Sequence, residues 1–407
     1  MILAIDVGGT KLAAGLVAHD GTVTRSVRVG TPQGADAETL WRTLVDLVSP
    51  LSAGAEGVGV GCGGPMSRPG GDVSPLNIPG WRGFPLRTRL AALFPGVPVR
   101  LHNDAVCLAV AEHWKGAGRR ASDMLGMVVS TGVGGGLILN GRLVNGRTGN
   151  AGHIGHVVVE PVGGPRCGCG GHGCLEAVAS GPALTAWALA HGWTPRSGGV
   201  RSAAEAVDGG VQAARDGLEP VRAAVPEAAP ARASVGGAGS GASVGGGGSR
   251  GASARAGEPG AVTAMAGGSG AVTRPGGERG DPAALAGARV AGAGETYRED
   301  RAVTARVLAA DARAGEPVAL TAMCRAGRAL GIAIASATHL CDLDLVTIGG
   351  GLAQAGEPLF GPLEEALREH ARMRFARRVE VVPAALGQDA GLVGAAALML
   401  AGERYWG

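Results

Sequence analysis

Short apolar runs broken by polar or glycine-rich turns open the chain, and longer segments with helical spacing follow. Ile2 to Val7 is apolar except for Asp6 near its end, Gly8-Gly9-Thr10 forms a turn, and Leu12 to Val17 resumes the run. His19-Asp20-Gly21 turns again into Val23 to Val29. Such a series predicts a three-stranded meander. Glu38 to Val48 predicts a helix, Gly57 to Gly61 a buried strand, Val97 to Leu101 a strand ending in His102-Asn103-Asp104, and Ala105 to Trp114 a helix. A second set begins with a strand at Met124 to Ser130. It turns through Thr131-Gly132-Val133-Gly134-Gly135-Gly136 and resumes at Leu137 to Asn140. Later come a helix from Val318 to Leu340, a strand Leu343 to Ile348, a turn Gly349-Gly350-Gly351, a strand Val379 to Val382, and a helix Ala390 to Ala401. Strands alternating with helices predict an α/β fold, with ligands at the strand ends.

The pattern fails between about Gly198 and Gly294. This tract is mostly Ala, Gly, Arg, Ser, Val and Pro, with leucine only at Leu218 and Leu285. It lacks the apolar side chains for a core of its own and is expected to be a flexible insertion, with at most a marginal helix over Ser202 to Arg215. The 407 residues allow two domains. A formal charge of +3 gives no reason to expect a nucleic acid or an anionic membrane as partner. Arg368, Arg372, Arg374, Arg377 and Arg378 fit the solvated side of an amphipathic helix around Leu363, Leu367 and Phe375. The long apolar runs are interrupted before twenty residues, so no membrane span is expected.

His156 and the run Cys167-Gly-Cys169-Gly-Gly-His-Gly-Cys174 supply one imidazole and three thiols within about twenty residues, the Cys3His set of a tetrahedral zinc site. Four protein ligands leave no open position for an activated water, so the expected zinc is structural. A loop pinned in this way would hold His153, His156 and Glu176 rigidly against a substrate. Disulfides are the competing reading. An odd count of seven cysteines and no apolar leader before the first motif favour a reducing cytoplasm instead.

Glycine turns let backbone N–H groups approach an anion closely. Asp6-Val-Gly8-Gly9-Thr10-Lys11 adds a carboxylate able to hold magnesium through water, a hydroxyl and an ammonium. Lysine occurs only at Lys11 and Lys115 in a chain rich in arginine, a mild sign that a compact charge suits this turn. Thr131, Gly132 and Gly134 would cradle further phosphate oxygens, and Gly349, Gly350 and Gly351 would let an adenine-ribose unit lie on the backbone. Any one turn alone is better read as a tight hairpin. The three together point to a nucleotide, although neither a GxxxxGK[ST] loop nor a Rossmann fingerprint is present.

These residues resemble the ROK family of sugar kinases and repressors, in the actin-like ATPase superfamily. The resemblance is carried by Asp6-Val-Gly-Gly-Thr-Lys11, Gly61-Cys-Gly-Gly-Pro65, Asn103-Asp104-Ala105, Ser130-Thr-Gly-Val-Gly-Gly-Gly136, Gly155-His156, the cysteine run with Leu175-Glu176, Gly349 to Gly351, and Asp389-Ala-Gly-Leu392. It implies a two-domain α/β actin-like (ribonuclease H-like) fold that binds ATP and sugar in an interdomain cleft. One domain would span 1–115 plus 390–407 and the other 116–389, the latter with the zinc loop and the insertion at 198–294. The resemblance further implies ATP, Mg2+ and Zn2+ as cofactors, a homodimer or homotetramer, and no nucleic-acid partner. Repressor members carry a winged helix ahead of the first strand, which here begins at residue 2, so the kinase branch is expected.

By the same resemblance, Asp104 is the catalytic base that takes the proton from the attacking sugar hydroxyl, and Asn103 fixes a neighbouring hydroxyl. Both also suit a helix N-cap. Gly64, Asn77, His156 and Glu176 match sugar-pocket positions, with one nitrogen of His156 on zinc and the other toward sugar. The family usually reads Ala-Gly-Glu-Ile-Gly-His where this chain has Ala151-Gly-His153-Ile-Gly-His156. An imidazole offers one acceptor where a carboxylate offers two oxygens, so substrate choice is expected to shift at His153. His172 is expected to be a solvent-facing turn residue. The expected activity is phosphorylation of a hexose, glucose first. The alternatives are another hexose or an N-acylhexosamine as substrate, a sugar-sensing regulator, or a generic actin-like ATPase.

Overall fold

The computed structural model describes residues 1–67, 71–196 and 304–406. The insertion expected at 198–294 and the marginal helix at 202–215 lie outside the described residues. Two five-stranded sheets carry the fold. The first is built from β1 (Ile2–Val7), β2 (Lys11–Val17), β3 (Val23–Gly30), β4 (Gly57–Cys62) and β5 (Val99–Asn103), in the order β3-β2-β1-β4-β5. The second is built from β6 (Met124–Val129), β7 (Val133–Leu139), β8 (Arg142–Leu143), β9 (Leu345–Gly349) and β10 (Glu380–Pro383), in the order β10-β9-β6-β7-β8. Each sheet has an antiparallel three-strand meander whose first strand pairs in parallel with the next strand outward. The same topology thus occurs twice. It is the actin-like α/β architecture expected from the motifs.

Apolar stripes place the helices. In α1 (Ala37–Val48), Leu40, Leu44 and Val48 are buried at four-residue spacing against the first sheet, and Asp36 caps the helix by accepting the Thr39 N–H. α2 (Leu86–Leu93) packs on the same core through Leu86 and Leu90. The second core gathers α4 (Leu175–Ala179), α5 (Gly181–Ala190), α6 (Ala305–Arg313), α7 (Pro317–Cys341) and α8 (Glu357–His370). α7 is long and apolar enough to cross a membrane, yet most of its apolar stretch is buried inside this core. The helix is continuous, as its spacing predicts, and Arg325 and Arg328, both partly exposed, are the charged residues that interrupt its apolar run.

Between the two sheets, α3 (Asp104–Trp114) crosses α9 (Ala390–Leu400), and a short α10 (Gly402–Trp406) follows. The crossing is a backbone contact: a Cβ on Gly394 would lie 1.9 Å from the Cys107 carbonyl oxygen.

Two expectations are corrected. Gly134, Gly135 and Gly136 are not part of a turn but lie inside β7. Cβ atoms on Gly134 and Gly136 would come within 2.7 and 2.8 Å of the Ala105 and Ala109 methyls, so these glycines let α3 pack closely on the sheet. The basic cluster does not lie on one helix either. α8 ends at His370, Arg372 and Arg374 follow in a loop, and Arg377 and Arg378 sit in a 3-10 turn. Ala371 and Ala376 are both buried, and a five-residue spacing falls on two different helix faces, so one helix cannot serve both. All five arginines remain exposed.

Candidate active site

The C-terminal ends of β1, β4, β5, β6, β9 and β10 open onto one cleft of about 1410 Å3. Of the residues singled out from the sequence for the site, all but Cys174 line it. β1 delivers Asp6, and the following turn is held from behind. The Thr31 hydroxyl donates to the Gly8 carbonyl (2.7 Å), and Gln33 Nε2 donates to the Gly9 carbonyl (2.8 Å). Asn77 lies directly over Gly9, where a Cβ would come within 2.5 Å of Nδ2. Lys11 is exposed at the cleft wall.

Asp104 is the first residue of α3. Asn103 caps the helix, its Oδ1 accepting the N–H groups of Ala105 (3.0 Å) and Val106 (3.3 Å). With that oxygen committed, Nδ2 is the free end of the amide for a ligand, and it lies beside Gly64 and His153 at the cleft. The Asp104 carboxylate accepts the Ala105 N–H at 2.8 Å. Burial, then the negative charge of Asp6, with a smaller contribution from Glu176, push its pKa up to about 7. Asp6 is likewise raised by burial, against the pull of Lys11 and Arg28. A hard dication seeks oxygen donors, and the neighbouring Asp6 and Asp104 carboxylates, each raised in pKa, fit one.

Sequence reasoning missed the residues that hold this row in place. His102 is buried; its Nδ1 accepts the Asn103 N–H (2.8 Å), so Nε2 carries the proton and donates to Asn145 Oδ1 (2.8 Å). Asn150 bonds Met66 through both the N–H (3.2 Å) and the carbonyl (3.1 Å), and its Oδ1 lies 3.4 Å from His153 Nε2. These links join distant segments, and no local sequence pattern announces them.

The cysteine hairpin forms the opposite wall. Ligand atoms of His156, Cys167, Cys169 and Cys174 all lie within 4.8 Å of one another. His153 is outside this group, its ring 6.1 Å from that of His156. Cys169 and Cys174 have their sulfurs 3.8 Å apart, and His156 Nδ1 is 3.6 Å from Cys167 Sγ. A tetrahedron with Zn–S of about 2.3 Å and Zn–N of about 2.05 Å has edges of about 3.8 and 3.6 Å. The donors therefore fit zinc, whereas a disulfide needs about 2.05 Å between sulfurs. Burial raises the Cys167 and Cys174 thiols, the latter to about 12, while the Gly171 N–H lowers Cys169. A bound cation is what would draw off those protons. Two residues after Cys174, Glu176 Oε2 accepts the Val133 N–H (2.9 Å), tying the hairpin to the Thr131-Gly132 turn. His172 is exposed, as its position between the thiols suggested.

Across the cleft, Gly350 has φ 91°, a left-handed conformation that favours glycine, and a Cβ there would meet the Val129 carbonyl at 2.4 Å. Arg166, Arg306 and Gln388 also line the cleft and were not anticipated.

A model of the ROK family matches residues 2–225 and 235–401. The chain is 30% identical over 402 residues to a glucokinase of Thermotoga maritima, covering 98% of this chain and 96% of that one. It is 44% identical over 186 residues to an N-acetylmannosamine kinase of Escherichia fergusonii, a match that spans 45% of this chain and 62% of that enzyme. A crystal structure of a ROK family glucokinase from Streptomyces griseus, in complex with glucose and AMPPNP, superposes with a TM-score of 0.64 at 26% identity, covering 98% of both chains.

Proposed function

The chain belongs to the ROK family, and from that premise we propose that it is an ATP-dependent sugar kinase that transfers the γ-phosphate to a hexose, with the glucose 6-hydroxyl as first candidate. One observation carries the reading. Asp104, with a pKa near neutrality, stands in a single cleft between polar groups suited to a sugar and glycine turns suited to phosphates.

In the proposed reaction Asp104 accepts the proton of the attacking hydroxyl as the new O–P bond forms and the bond to the β-phosphate oxygen breaks. A positioned base of this kind contributes about 10²- to 10⁴-fold. Asn103 Nδ2 donates to a neighbouring hydroxyl, and His153, Glu176, Gly64 and Asn77 orient the ring. His156 does so with the nitrogen not directed at the thiols. Backbone N–H groups of Gly9, Thr10, Thr131 and Gly132 bind phosphate oxygens, while that of Gly8 closes the turn on the Lys11 carbonyl (3.0 Å); Lys11 adds a compact charge, and Gly349 to Gly351 take the adenosine. Magnesium, when bound, neutralises phosphate charge; Asp6 is the residue that would hold it through water. Zinc would lock the His156–Cys174 hairpin and supply no step of the reaction. Seven free thiols are in keeping with the cytoplasm as the site of action.

A second substrate class is favoured by the 44% identical stretch shared with an N-acetylmannosamine kinase and by the imidazole of His153 where a carboxylate is usual. Coupled ADP release over a panel of hexoses and N-acylhexosamines, with zinc and magnesium supplied, tests both. Turnover on one of them is expected. Sugar binding without turnover would mark a regulator, and hydrolysis indifferent to sugar a generic ATPase.

A further inference from the structure

At the end of α3 opposite Asp104, two fully buried polar residues lie outside the site. Glu112 is 0% exposed; its Oε2 accepts the backbone N–H groups of Ala117 (2.8 Å) and Ala385 (3.0 Å), and its Oε1 accepts that of Leu386 (2.9 Å). His113, also 0% exposed, has Nε2 at 2.9 Å from the Ala121 carbonyl and Nδ1 at 2.6 Å from the Tyr405 hydroxyl. A carbonyl only accepts, so Nε2 carries the proton and Nδ1 accepts from tyrosine.

The partners have a topological meaning. The chain passes from the first sheet to the second between Trp114 and Met124, and returns between Pro383 and Ala390. Ala117 belongs to the first passage, and Ala385 and Leu386 to the second. One carboxylate therefore holds both passages. The second passage is also a wall of the cleft: Pro383, Ala384, Gly387 and Gln388 line it beside Gly349 to Gly351. The Ala384 N–H donates to the Ile348 carbonyl at 2.9 Å, and a Cβ on Gly349 would lie 3.3 Å from the Ala384 methyl.

We propose that Glu112 is a positioning residue whose carboxylate clasps the two passages between the sheets and so sets the 384–388 wall against which the nucleotide lies. The kinase reading enters only in naming a nucleotide as the ligand of that wall. Three N–H donors converge on two carboxylate oxygens. A glutamine has a single acceptor oxygen, and its NH2 would face an N–H. The clasp lies far along α3 from Asn103 and the sugar-side residues, so its loss is felt on the nucleotide side.

The experiment uses the full chain with zinc. Hydrogen exchange on the wild type is expected to show the Ala117, Ala385 and Leu386 amides protected although none lies in a helix or strand; exchange at exposed-loop rates would overturn the clasp, with no variant needed. In Glu112→Gln, protection at both passages is expected to fall together. Calorimetry is expected to show AMPPNP affinity reduced by about tenfold, on the order of one lost charge-assisted bond, with glucose affinity within about twofold of wild type by the same scale. A variant that binds both ligands as wild type, or loses both equally, would overturn the proposal. A wild type that phosphorylates no sugar, while the two passages lose protection together in the variant, would defeat the kinase reading and leave the clasp standing.

Discussion

A carboxyl with a pKa of about 7 is poised to act as a base near neutral pH, and burial with like charge is the reason Asp104 has that value. Below about 7, kcat/KM is therefore expected to fall about tenfold per pH unit as Asp104 takes up a proton. Asp104→Asn should abolish transfer while glucose still binds; retained turnover would put the base elsewhere. The same substitution carries a stability prediction of definite sign. A raised acid pKa penalises the ionised folded protein: the penalty is absent below the ordinary 3.8 and complete above about 7. Asparagine carries no charge and keeps an acceptor for Ala105. Urea unfolding at pH 8 is thus expected to show a gain of about 1 to 3 kcal/mol, after discount for partial exposure, that vanishes near pH 4. Loss of stability at pH 8 would contradict the electrostatic account. At this scale the sequence was partly legible. Asp104 and Asn103 stood out because a polar pair ends an apolar strand, whereas Glu112, His102 and Asn150 did not, because their partners lie up to 274 residues away.

Elements were legible wherever one periodicity decided them, as in β1, α1 and the unbroken α7. They were misread where packing overrode pattern. Gly134 to Gly136 look like a turn but serve the close approach of α3 to β7, and no single-segment pattern records the partner helix. The α3–α9 crossing has the same character, and it predicts that Gly394→Ala, whose methyl would meet the Cys107 carbonyl, costs at least about 1 to 3 kcal/mol in urea unfolding. A neutral result would mean the helices cross less closely. The cysteine hairpin is the element most readable from spacing alone. Cys169→Ser is expected to release zinc, measured by metal analysis, and to weaken sugar binding by loosening the hairpin that carries His156 and Glu176. Unchanged sugar affinity would separate the metal from the pocket.

Across the whole molecule, a duplicated sheet plan brings six strand ends to one cleft, so residues from 6 to 391 share a site. The pairing of β1 with β4 and of β6 with β9 that creates this duplication depends on contacts between distant segments, which no local pattern records. The insertion was legible by composition. On either side of it, Asp311 of α6 accepts from Trp193 Nε1 (3.0 Å) and from the Arg196 N–H (3.3 Å), so contacts between described residues join its flanks. Replacing 199–294 by a short Gly-Ser linker is expected to leave the melting temperature and kcat/KM close to those of the full chain; a large loss of either would show that the tract docks on the body. The most direct test of the proposed function is the initial rate of ADP release with each sugar of the panel, measured on the zinc-loaded protein with ATP and magnesium. Release that requires a hexose or N-acylhexosamine, yields its phosphate ester and disappears in Asp104→Asn is the predicted result. Release that proceeds equally without sugar, or no release with any of them, would contradict it.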